Sequence, residues 1–292
     1  LTILPKWRVT EEPVMGMFEG KKGLILGVAN EASIAWAIAS EIMAAGGVCG
    51  FSHLPDGDNR KKNSGRVKKC IEKHPNPELA KFVAPLDVQK DEDIAAFMST
   101  AKDELGQLDF VLHSIAFATL DDLKNETIAT SREGFKLAMD ISAYSFLAVC
   151  NAAKDLLAPE SAVLTMTYFG GEKCLPGYNV MGICKAALDA SVKYAAYDLG
   201  PQGVRVNAIS AGPLKTLASS AVGAKDMIWL YSQIAPLGRN ITHDEVGRVG
   251  AFMLSPYSNG ISGEILHVDG GYNIMGSPGR LLDKLAAAQP AT

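Results

Sequence analysis

Seven short, almost uniformly apolar runs punctuate the chain: Gly23 to Val28, Val48 to Ser52, Lys81 to Pro85, Phe110 to His113, Ala162 to Met166, Arg205 to Ile209 and Glu264 to Val268. Longer stretches of helical character separate them. Parallel strands need crossover connections, and the crossover helices cover both faces of the sheet, so such strands carry no polar face. The alternation therefore predicts an α/β fold: a doubly wound, Rossmann-like parallel sheet of about seven strands in a single domain. A barrel of eight strands and eight helices is the structural alternative, and the count of seven disfavours it.

Helices are predicted over Ile34 to Ala45, Asp91 to Leu105, Arg132 to Leu157, Val180 to Leu199 and His243 to Leu254. The fourth is alanine-rich and apolar on more than one face, which suits packing against another subunit as well as the sheet. The polar stretch Pro55 to Ser64 reads as a loop. With 292 residues, 48% hydrophobic, the chain can bury a large core, and no shift in composition divides it. The expected organisation is an amino-terminal arm over 1–16, one Rossmann-fold domain over 17–276 and a carboxy-terminal tail over 277–292.

A formal charge of −4, with basic and acidic residues interspersed, argues against nucleic acid or an anionic membrane as partner. No apolar run approaches the roughly 20 residues a bilayer span requires, and the start lacks a signal-peptide core, so a soluble cytoplasmic protein is expected. The five cysteines form no CxxC pair and the five histidines are dispersed, so no metal site is predicted and reduced thiols are expected.

From Lys22 to Ala35 a strand, a glycine turn and a helix start follow one another, the setting in which a dinucleotide pyrophosphate meets backbone N–H groups. As a G-x-G-x-x-G fingerprint it is incomplete, because Ala29 and Ala32 stand where the later glycines belong. Ser33 could cap the helix as easily as touch a phosphate. Asp87 and Val88 after the third run, Ser114 and Ile115 after the fourth, and Gly212 to Thr216 after the sixth lie at what should be the same carboxyl edge. Asp87 could equally be a turn aspartate. The second run ends at Ser52-His53-Leu54, with neither the acid that favours NADH nor the base that favours NADPH directly at the strand end. NADH is favoured, and NADPH stays open.

Tyr178 and Lys185 stand seven residues apart, about two turns if both lie on a helix, and Tyr168 precedes Tyr178 by ten. Short-chain dehydrogenases usually carry tyrosine four residues before the lysine and serine about thirteen before that tyrosine. Those positions hold Met181 and Tyr168, so the carbonyl-reducing triad is absent. Instead Thr165-Met-Thr-Tyr168-Phe-Gly-Gly171 and Pro176-Gly-Tyr178 through Lys185-Ala-Ala-Leu188 closely resemble the divergent short-chain family of bacterial enoyl-acyl-carrier-protein reductases. The resemblance runs from about Met17 to Met275, through His113-Ser-Ile-Ala-Phe-Ala118, Asp140-Ile-Ser-Ala-Tyr-Ser-Phe146 and Arg205-Val-Asn-Ala-Ile-Ser-Ala-Gly-Pro213.

That resemblance implies NAD(P)H-dependent reduction of a trans-2-enoyl thioester carried on acyl carrier protein, in type II fatty-acid synthesis, by a homotetramer. Position by position it implies that Tyr178 donates to the thioester carbonyl, that Lys185 holds the nicotinamide ribose, and that Tyr168 flanks the acyl chain or carbonyl. Ala118 would touch substrate. Gly27, Ser33, Ile34, Leu54, Asp87, Val88, Ser114, Ile115, Lys185 and the stretch Leu214, Lys215, Thr216, Leu217 and Ala218 would contact the cofactor. Thr216 to Gln233 corresponds to the family's substrate lid. A lysine ammonium close to Tyr178 is expected to lower its pKa. A carbonyl reductase of the broader short-chain class and a non-catalytic dinucleotide-binding protein are the rival readings.

Overall fold

The structure, a computed structural model, describes residues 16–57, 62–216 and 225–282. Seven strands form one sheet: β1 (Lys22–Leu26), β2 (Val48–His53), β3 (Ala80–Pro85), β4 (Leu108–His113), β5 (Leu157–Thr167), β6 (Arg205–Ala211) and β7 (Ile265–Val268). Their order is β3-β2-β1-β4-β5-β6-β7, and every neighbouring pair is parallel. The order reverses between β1 and β4, which opens a crevice at their carboxyl ends.

Because strand side chains alternate between faces, each apolar run feeds two cores at once. Ile25, Phe110, Leu112, Leu164 and Ile209 pack with α1 (Ile34–Ala44) and with the helix His243–Leu254. Leu24, Leu26, Val111, Val163 and Ala208 pack on the other side, against α3 (Asp91–Leu105) and the helices Ser145–Ala153 and Val180–Leu199. This two-sided burial is why the strands present no alternating polar face.

The remaining helices are α2 (Asn63–Glu72), α4 (Leu120–Lys124), α5 (Arg132–Met139), α6 (Ser145–Ala153), α7 (Val180–Leu199), α8 (Lys225–Ile234) and α9 (His243–Leu254). Two sequence expectations need correction. The helix expected over Arg132 to Leu157 is two helices joined by a π-turn at Asp140–Tyr144, and Leu157 already belongs to β5. The loop expected over Pro55 to Ser64 gives way to α2 at Asn63. Tyr178 precedes α7 and stands in a turn. Most of the expected arm, residues 1–15, and of the expected tail, residues 283–292, lies outside the described residues, as do Leu217 and Ala218.

Candidate active site

The carboxyl ends of β1 and β4 meet at Gly27. Its φ is +102°, and a Cβ there would stand 2.0 Å from the carbonyl oxygen of Ser114, so only glycine allows the two strand ends to approach. Ser33 occupies the N-cap position of α1 but does not cap it. Its hydroxyl accepts from the amides of Ala29 and Asn30, each at 3.0 Å, which leaves the helix's first turn without a side-chain cap. An uncapped amino-terminal turn facing the crevice is suited to a pyrophosphate, and Ile34 begins that turn.

Around this turn the other expected contacts fall into two groups. Ser114 donates its amide to Leu26 and, with Ile115, continues β4 beside Gly27; Val88 is buried after β3. Leu214 is buried after β6, and Lys215 beside it is exposed. Leu54 is 63% exposed just beyond β2. Asp87 serves its own turn: its carboxylate accepts from the amide of Gln89 at 3.2 Å and stands 3.8 Å from Lys90 Nζ.

Tyr178 is positioned by a strained turn. Asn179 has φ +44° and ψ −123°, a conformation costly for a residue with a side chain, and its amide group donates to the carbonyls of Leu123 and Asn125 at 2.8 and 2.6 Å. These bonds tie the turn to α4. The Tyr178 ring meets that of Tyr168 edge-on, with centroids 4.9 Å apart, and packs with Ala118 beside Val180, Met181 and Cys184. Ala118 and Tyr178 thus pack against one small cluster, and Tyr168 meets it through the ring of Tyr178.

Lys185, only 6% exposed, reaches across to β5, where Nζ donates to the carbonyl of Met166 at 2.8 Å. An ammonium carries three donors, so two remain beyond that bond, enough for a sugar diol. Burial lowers the Lys185 pKa to about 8, opposed by the charges of Asp189 and Cys184. The expected lowering of the Tyr178 pKa is not observed. Burial pushes the phenol well above its usual range, with Tyr168, Cys184 and Asp189 adding to the rise. Tyr178 is therefore a neutral hydrogen-bond donor. Burial also raises Tyr168.

Two features went unread in the sequence. An aromatic stack extends from Tyr168 through Tyr231 on α8 to Tyr272, the latter pair at 3.6 Å between centroids and 9° between planes. Tyr231 is 1% exposed, and its hydroxyl lies near that of Tyr168 without completing a hydrogen bond. The region carrying Tyr231 was read as a lid, but nothing in the sequence pairs it with Tyr272, forty-one positions later. His113, fully buried, joins Thr165 Oγ1 at 3.1 Å to Ser145 Oγ at 2.9 Å, and Ser145 donates onward to Ile141 at 2.6 Å. Since Ser145 spends its proton on Ile141, Nε2 of His113 must donate; burial lowers the imidazole pKa to about 3, so the ring is neutral and Nδ1 accepts from the Thr165 hydroxyl. It clamps β4, β5 and the π-turn together beneath the site.

The chain matches the family model described as enoyl-(acyl carrier protein) reductase over residues 27–273. It is similar to the enoyl-[acyl-carrier-protein] reductase [NADH] FabI of Nostoc sp., 47% identical over 258 residues, which covers 88% of this chain and 98% of that protein. The corresponding protein of Bacillus cereus is 44% identical over 263 residues, 90% of this chain and all of that one. Among solved structures, the enoyl-acyl-carrier-protein reductase of Anaplasma phagocytophilum in complex with NAD superimposes with a TM-score of 0.82 at 41% identity, covering 90% of this chain and 97% of that one. The Bacillus cereus enzyme with NADP+ and an indole naphthyridinone gives 0.84 at 43%, covering 90% and 100%.

Proposed function

This chain belongs to the enoyl-acyl-carrier-protein reductase family, and from that premise we propose that Tyr178, Tyr168 and Lys185 carry out the NADH-dependent reduction of a trans-2-enoyl thioester borne on acyl carrier protein. The chain is an NADH-dependent oxidoreductase of fatty-acid synthesis, as its relatives are named. The observation that carries the assignment of roles is the convergence of a neutral buried phenol, an aromatic wall and a buried lysine with spare donors beside the crevice of the sheet.

The cofactor fits the residues present. The uncapped start of α1 and the close approach at Gly27 suit a pyrophosphate, and the two unspent donors of Lys185 suit the nicotinamide ribose. Ser33, Ile34, Val88, Ser114, Ile115 and Leu214 border the same edge. Asp87 and Leu54 fit less directly, one turned to its own loop and the other exposed. NADH when bound supplies hydride to the β-carbon of the substrate.

As the β-carbon gains hydride, negative charge moves to the thioester oxygen. Tyr178, held protonated by its burial, donates a hydrogen bond to that oxygen as the charge develops, which favours the transition state over the ground state. Lys185 fixes the ribose and so orients the donor. Tyr168 flanks the acyl chain, its ring edge-on to Tyr178 and stacked on Tyr231, and Ala118, packed on the cluster around Tyr178, touches substrate. Met181 stands where the broader short-chain class places its tyrosine and is 7% exposed within the core cluster around Tyr178, which speaks against a carbonyl reductase.

A homotetramer is the assembly we infer. The exposed Ile183, Tyr194 and Tyr197 of α7, all on its outer face, support further packing of that helix. No helix among the described residues is long and apolar enough to cross a membrane, and we infer a cytoplasmic location. The function is tested by steady-state rates with NADH. Crotonyl thioester should be reduced and acetoacetyl thioester left unreacted; the reverse preference would assign a carbonyl reductase.

A further inference from the structure

Behind Lys185 lies a group of buried polar side chains that the scheme above leaves unused. Asp189 follows Lys185 by one turn on the same face of α7 and is 9% exposed. Carboxylates are seldom buried to that extent without partners. Yet Asp189 Oδ1 has no hydrogen-bond partner, and neither has the buried Oγ1 of Thr167, the residue directly after the Met166 whose carbonyl holds Lys185. Gly171 makes room for the carboxylate, since a Cβ there would stand 2.7 Å from Asp189 Oδ2 and 2.9 Å from the backbone carbon of Lys185.

Burial raises the Asp189 pKa, while the charges of Lys185 and Lys193 oppose the rise and Glu172 adds to it. Lys185 in turn feels Asp189 and Cys184, and its charge reaches His113, the neutral imidazole on β4. No ion pair joins Lys185 to Asp189 among the described residues, so the carboxylate acts through a low-dielectric interior and not by direct contact.

We propose that Asp189 is a positioning residue for Lys185, its buried carboxylate keeping the lysine an ammonium aimed at the nicotinamide ribose. The inference rests on the reading of Lys185 given above. Removing the carboxylate charge leaves burial unopposed, so the lysine loses its proton at a lower pH. A neutral amine makes weaker hydrogen bonds to the ribose than an ammonium does.

The test is NADH affinity, followed by the change in nicotinamide fluorescence on binding, across a pH series. In the wild-type protein the affinity should weaken by about five-fold as the pH rises past about 8, where Lys185 titrates. D189N should show the same weakening displaced downward by about one pH unit, a tenfold change in the lysine's proton affinity. D189E should retain the wild-type midpoint, and Lys185→Ala should lack the step. A D189N midpoint equal to that of the wild type, or a D189E midpoint displaced as far as that of D189N, overturns the inference while leaving the cofactor assignment intact. A wild-type protein that binds no NADH contradicts the cofactor assignment itself, and this inference with it.

Discussion

Tyr178 is the residue to which the proposed mechanism assigns the chemistry, and its environment departs from the one that a Tyr-Lys spacing suggests. The seven-residue spacing would put both residues on one helical face only if the helix reached back to Tyr178, and it led to the expectation that the lysine would draw the phenol toward ionisation. The structure ends the helix two residues short of Tyr178 and holds the tyrosine through Asn179, whose positive φ nothing in the sequence announces. With burial dominant, the phenol keeps its proton, which is the state required of a donor to a developing oxyanion. Tyr178→Phe should lower turnover by roughly a hundred-fold to a thousand-fold, the usual cost of one lost oxyanion donor, with NADH affinity unchanged. Steady-state kinetics beside direct cofactor titration will check this, and undiminished turnover on every enoyl thioester would remove the phenol from the mechanism. Spacing and the family resemblance brought Tyr168, Tyr178 and Lys185 forward as candidates. Asp189 was not, because an aspartate four residues after a lysine on a helix is ordinarily a solvated surface pair and becomes significant only once both are seen to be buried.

At the scale of elements, the sheet was the most readable part of the molecule. Strands buried on both faces advertise themselves as apolar runs, and Asp91–Leu105, Val180–Leu199 and His243–Leu254 were bounded in the sequence at the residues where the structure bounds them. The segment Arg132 to Leu157 was not readable, because its periodicity continues through a π-turn whose cause lies elsewhere. Ser142, within that turn, accepts from the amide of Phe117 at 2.9 Å and donates to its carbonyl at 3.0 Å, while Ser145 is engaged by His113. The imidazole is thus a structural clamp, and its titration should show in stability. Burial takes its pKa from an ordinary 6.5 down to about 3. Between those values the unfolded chain binds a proton that the folded one refuses, so stability present above the higher value is lost on acidification, at about 1.4 kcal/mol per pH unit. In thermal unfolding the midpoint of the wild-type protein should fall more steeply from about pH 7 to about pH 5 than that of His113→Gln. Parallel slopes would show that another group sets the acid sensitivity.

For the whole molecule, one parallel sheet carries two cores and brings the carboxyl ends of all seven strands to a common edge, so residues more than a hundred positions apart meet along it. Gly27 and Ser114 abut there, and the chain from Tyr168 to Tyr178 stands beside them on the continuation of β5. That such an edge exists followed from the parallel sheet that the α/β alternation implied; the strand order came from the structure. The closing of the site by Tyr231 against Tyr272 did not follow, since aromatic stacking between distant segments leaves no periodic trace in a sequence. The central claim is that the edge delivers one cofactor to Lys185 and one substrate oxygen to Tyr178. A crystal structure of the protein with NADH bound measures this most directly. The account expects the pyrophosphate at the start of α1, the ribose hydroxyls within hydrogen-bonding distance of Lys185 Nζ, and the open face of the nicotinamide toward the Tyr178 hydroxyl. A cofactor bound elsewhere, or a nicotinamide turned away from Tyr178 with Lys185 still held only by Met166, would contradict it.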